Sequence, residues 1–120
     1  MNSALIIIDM QNDFCTGGAL AVKDGETILE SINEAQKDFD TIILTQDWHP
    51  KEHSSFASNH NAEVYSNIEM NYGTQILWPN HCIQGSSGAD FHRSLDTNKC
   101  DLILRKGCNP SIDSYSAFFE

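Results

Sequence analysis

Short apolar runs alternate with long polar stretches along this chain, and the first of them, Ala4-Leu5-Ile6-Ile7-Ile8, is β-branched and uninterrupted. A run without strict alternation predicts a strand covered on both faces, here ended by Asp9. From Ile28 the period changes. Ile28, Leu29, Ile32, Ala35 and Phe39 share one stripe, with Glu26, Glu30, Glu34 and Lys37 opposite, which predicts a helix started near Asp24-Gly25. Thr41-Ile42-Ile43-Leu44-Thr45 predicts a second buried strand, ended by Gln46 and Asp47. Residues 49–88 are polar, aromatic and rich in Asn and Ser, and so long an irregular stretch in a small domain is usually functional. Ala89–Lys99 reads as a further helix, and Asp101–Arg105 as a third strand closing at Lys106-Gly107. Strand, helix and strand in this order predict a βαβ unit and an open parallel sheet of the α/β class.

Composition narrows the partners. The 120 residues suit one domain, at the small end for an α/β sheet. With 17 acidic against 7 basic residues the formal net charge is −10, and no Lys/Arg cluster stands ready to grip phosphates, which argues against nucleic acid. Ala4–Ile8 is too short for a signal or membrane segment, so a cytoplasmic location without membrane association is expected. Cys15, Cys82, Cys100 and Cys108 show no CxxC pairing and are expected as free thiols in that compartment.

Ligands of open parallel sheets sit outside the carboxyl ends of the strands. The three predicted strands end in Asp9, Asp47 and Lys106, so these charges should converge. Asp47 and His49, two apart on extended backbone, point to one side, and Trp78-Pro79-Asn80-His81-Cys82 supplies a second imidazole. A carboxylate with two imidazoles suits zinc, with iron or manganese as alternatives. His53 is read as a hydrogen-bonding support for that set, with ligation as the alternative. Asp9 and Lys106 form either an acid/base pair or a structural ion pair. Phe14, Trp78 and Tyr115 could wall a flat ligand or simply pack as local core.

Leu5–Phe14 (LIIIDMQNDF), Gly17-Gly18-Ala19-Leu20, Gln46–Phe56, Trp78–Gly85, Lys106-Gly107 and Asp113–Phe119 together resemble the nicotinamidases of the isochorismatase-like hydrolase superfamily, in order and across the whole chain. The resemblance implies an open parallel-sheet, three-layer, Rossmann-like fold and hydrolysis of nicotinamide to nicotinate and ammonia in NAD salvage. Pyrazinamide is implied as a surrogate substrate. Carried over by motif, Asp9 is the general base and Lys106 its stabilising cation. Asp47, His49 and His81 hold the metal, and Phe14, Leu20, Trp78 and Tyr115 line the ring pocket. The resemblance leaves homo-oligomerisation of the complete protein open.

The family's nucleophile is a cysteine in a TDxC-like context after a further strand, and none of the four cysteines here has that context. The chain is therefore expected to be an N-terminal portion of the domain, lacking the C-terminal strands and helices and with no amidase activity of its own. Ala4–Ile8 should then lie at the edge of the sheet with apolar residues uncovered. Two other readings compete: a metal-binding remnant or interaction module without chemistry, and a metallohydrolase that needs only the groups present.

Overall fold

The computed structural model describes residues 2–119. A parallel sheet carries β1 (Ala4–Ile7), β2 (Thr41–Asp47) and, after a long excursion, the last strand of the chain, with β2 in the middle. Between β1 and β2 runs α1 (Leu29–Ala35), extended by 3-10 turns at Gly25–Ile28 and Gln36–Asp38. An antiparallel hairpin of β3 (Asn67–Met70) and β4 (Gly73–Ile76) precedes β5 (Leu102–Lys106), the last strand. The predicted βαβ unit and parallel pairing are present, and β2 runs two residues further than expected, through Gln46 and Asp47.

One face of the sheet makes the core. Ile7, Ile42 and Leu44 pack with Leu29 of α1 and with Met10, Cys15 and Leu95 from the loops, while Leu5 and Ile32 pack at the margin. Strand residues two apart share a face, so Ile6 and Ile8 point the other way. There the described residues cover them only in part, with residues 115–118 beside Ile6 and Ile8. Ile6 is 40% exposed, Ile8 68% and Leu102 51%. Coverage on both faces is thus corrected to full coverage on one, because the described residues supply the helix and most of the loops to that side. The expected position of β1 at the sheet edge holds.

Two further expectations change. Ala89–Lys99 forms turns rather than a helix. Its backbone groups bond elsewhere: Ala89 O accepts from the Gln11 and Gln46 amides, and His92 N–H donates to Met10 O at 2.9 Å. Asp96 and Asn98 add local side-chain bonds that compete with helix. The β3–β4 hairpin lies inside the stretch read as irregular. β3 alternates exposed with half-buried positions, β4 buries only Gln75, and both carry few apolar residues, so periodicity gave no signal. Asn71-Tyr72-Gly73 marked its turn, with Gly73 at a φ of 122°.

One-sided burial has a measurable consequence. In urea titrations Leu44→Ala, at a fully buried site, costs about 2–5 kcal/mol, whereas Ile8→Ser stays within about 0.5 kcal/mol. Similar losses for both would contradict the difference in cover between the two faces.

Candidate active site

The register of the sheet brings two of the predicted residues together. Asp47 closes β2, Lys106 closes β5, and the two are level partners. Level residues on neighbouring parallel strands present side chains to the same face. Lys106 Nζ accordingly donates to Asp47 Oδ1, and it reaches Asp9 Oδ2 at 2.9 Å. Asp9 sits just past β1 in a left-handed conformation (φ 50°), where Thr45 Oγ1 donates to its Oδ1 at 2.6 Å. All three strand ends meet, as their sequence positions predicted.

Burial would push the Lys106 ammonium toward neutrality, but the Asp47 and Asp9 carboxylates outweigh it and hold its pKa above the ordinary value. Burial likewise opposes ionisation of Asp47, and the neighbouring His49 ring and the charge of Lys106 overcome it, leaving that pKa below the usual carboxylate range. The pair therefore stays charged around neutrality.

On the other side of Asp47 stand two imidazoles. Asp47 Oδ2 lies 3.5 Å from His49 Nε2 and 3.8 Å from His81 Nε2. Each ring's remaining nitrogen faces a backbone carbonyl: His49 Nδ1 lies 3.0 Å from Gly107 O, and His81 Nδ1 2.8 Å from Pro79 O. A carbonyl can only accept, so both Nδ1 atoms carry the proton, and Nε2 is the nitrogen each neutral ring would offer inward as a lone pair. Burial, the largest influence, also pushes the His81 pKa down, favouring the neutral ring. One ligand atom from each of Asp47, His49 and His81 falls within 4.8 Å of the others. Inward lone pairs beside an ionised carboxylate fit a divalent cation.

His53 stands differently. Its Nδ1 lies 2.8 Å from Ser55 Oγ and its Nε2 3.1 Å from Ile112 O, while its ring packs on His49 with centroids 4.4 Å apart. Both nitrogens are engaged away from the cluster, and the ring buttresses His49.

These groups open onto a cavity of about 250 Å³. Asp9, Lys106, Asp47, His49 and His81 line it, as do Phe14, Leu20, Trp78 and Tyr115, so these residues reach the same space, whereas His53, the alternative ligand, does not line it. Asp113 and Ser114 line it too and were given no role by sequence reasoning. Asp113 Oδ2 accepts from Gln75 Nε2 at 2.7 Å and from the Trp78 indole at 3.3 Å, which fixes one wall. Its place beside Tyr115 in the Asp113–Phe119 motif was the available signal. No cysteine is among the lining residues: Cys15 and Cys82 are buried, with their thiol pKa values pushed up by burial first.

A family model for the isochorismatase domain matches residues 3–119. The chain belongs to the isochorismatase family. Among curated relatives it is similar to the nicotinamidase of Acinetobacter baylyi, 51% identical over 120 residues that cover 99% of this chain and 56% of that protein. Among solved structures, the Acinetobacter baumanii nicotinamidase/pyrazinamidase superposes with a TM-score of 0.93 at 51% identity, over 97% of this chain and 56% of that one. An L. infantum PnC1 structure in complex with nicotinate has a TM-score of 0.80 at 40% identity (97% and 52% covered). The Pyrococcus horikoshii pyrazinamidase in complex with zinc gives 0.74 at 34% identity (98% and 59% covered). The chain thus spans a little over half the length of these relatives.

Gly107 offers a test of the imidazole geometry. It adopts a φ of 68°, and a Cβ there would come within 2.6 Å of His49 Nδ1. Gly107→Ala should displace that ring and weaken zinc binding about tenfold or more, as read by isothermal titration calorimetry. Unchanged affinity would remove His49 from the ligand set.

Proposed function

We propose that this chain carries the general base, its partner cation, the metal ligands and the ring pocket of a nicotinamidase. The supporting observation is the cavity itself, where the Asp9–Lys106 ion pair, the Asp47, His49 and His81 cluster and the aromatic walls face one space. A pyridine amide fits that division: the ring lies against Phe14, Leu20, Trp78 and Tyr115, and the carboxamide faces the ion pair. A divalent ion, zinc foremost, supplies a positive anchor for the ring nitrogen when bound by Asp47, His49 and His81. The zinc in the Pyrococcus relative and the nicotinate in the L. infantum relative support this reading.

Asp9 is then the proton acceptor for a cysteine thiol. Lys106, kept cationic by two carboxylates, bonds the Asp9 carboxylate that takes that proton. The thiolate adds to the amide carbon, Asp9 returns the proton to the leaving nitrogen, and the C–N bond breaks to release ammonia. Water then hydrolyses the thioester to nicotinate and restores the thiol. Since none of the four cysteines lines the cavity, we propose that the nucleophile comes from sequence corresponding to the remaining length of the relatives. That activity would return nicotinamide to the NAD pool.

The test is ammonia release from nicotinamide by the protein of relatives' length and by the 120-residue chain. The longer protein should turn over, Asp9→Asn should lower its kcat by about 100-fold or more, and the short chain should bind zinc without turnover. Turnover by the short chain that survives thiol alkylation but not chelation would favour attack by metal-activated water instead.

A further inference from the structure

Gln11 and Asp13 stand in the QNDF segment between Asp9 and Phe14, and neither faces the reacting groups as a lining residue. Each nevertheless grips backbone beside a metal-ligating residue. Gln11 is completely buried. Its Nε2 donates to Asp47 O at 2.8 Å and to Ala89 O at 2.9 Å, while its Oε1 accepts Asp47 N–H at 2.8 Å. One side chain thus satisfies both main-chain groups of Asp47, a pairing that β1 would supply if it extended this far.

Asp13 grips the backbone next to His81. Its Oδ2 accepts the N–H of Cys82, the residue after His81, at 2.7 Å, and its Oδ1 accepts Ala19 N–H at 3.1 Å. Cys82 has a φ of 46°, an uncommon conformation for a side chain with a Cβ. Its carbonyl accepts His49 N–H at 2.9 Å, so the bond to Asp13 holds a turn that touches both imidazole-bearing segments. Gly88 closes against the Asp13 carboxylate so tightly that any Cβ there would overlap it. The carboxylate is therefore confined, not free to turn away.

We propose that Gln11 and Asp13 are positioning residues that fix the metal site, Gln11 through the Asp47 backbone and Asp13 through the His81–Cys82 turn. This rests on the metal-site reading and not on the amide substrate. The metal ligands come from a strand end and a distant loop that share no covalent constraint. A single turn after β1, which also carries Asp9, ties them to one frame. Outer groups of this kind set ligand orientation, and their loss typically costs about 10–100-fold in metal affinity.

Gln11→Glu keeps the shape and the acceptor but loses both donated bonds. Asp13→Asn keeps the shape and one acceptor of the two. Asn12→Ala removes a bond from the same turn to Ser87 O, which lies beside no ligand, and serves as the control. Zinc affinity by competition with a chromophoric chelator, and the visible spectrum of the cobalt-loaded chain, read the site without turnover. Gln11→Glu and Asp13→Asn should each bind zinc about 10–100-fold more weakly and shift the cobalt bands, while Asn12→Ala matches the parent. Equal affinities and spectra in all four proteins, or an equal loss in Asn12→Ala, would overturn the proposal. Absence of zinc binding by the parent chain would instead overturn the metal-site reading on which it rests.

Discussion

The Asp47 carboxylate is the point on which this structure turns, because its two oxygens serve two different partners. Oδ1 takes the Lys106 ammonium, and Oδ2 faces the two imidazoles. A buried carboxylate is costly unless charge and hydrogen bonds compensate it. Here strand register supplies the compensating cation on one side, and the backbone-oriented rings of His49 and His81 face the other. Losing Lys106 would leave Asp47 and Asp9 facing each other without a cation, so the ion pair and the ligand set are one electrostatic unit.

That unit needs precise backbone. Asp9 and Cys82 both hold positive φ, and both are fixed by hydrogen bonds that their N–H groups donate to neighbouring segments: to Thr45 Oγ1 from Asp9, to Asp13 Oδ2 from Cys82. Strained positions of this kind persist where the surroundings over-determine them, and they gather at functional sites. The core beneath, centred on Ile7, Ile42 and Leu44, supplies the rigid sheet from which these ends project.

Much of this was legible in the sequence, for reasons that can be named. Apolar runs ended by Asp9, Asp47 and Lys106 mark strand ends, and strand ends converge in parallel sheets, so the charged half of the site could be placed before the fold was seen. The Asp47-Trp48-His49 spacing carried the metal set for the same reason. What failed to show was structure stabilised by scattered polar contacts. The 67–76 hairpin has too few apolar residues to announce itself, and 89–99 has helical composition but spends its carbonyls and amides on Gln11, Gln46 and Met10. The roles of Gln11 and Asp13 were hidden likewise, because they act on main-chain groups that no side-chain pattern records.

The central claim is that one carboxylate bridges the lysine and the metal site. Anomalous diffraction at the zinc edge, on crystals of the chain soaked in zinc, addresses it directly. The expected map has one dominant peak within bonding distance of Asp47 Oδ2, His49 Nε2 and His81 Nε2, with Lys106 Nζ still bonded to Asp47 Oδ1 and Asp9 Oδ2. A dominant peak elsewhere, or zinc that displaces Lys106 from Asp47, would contradict it.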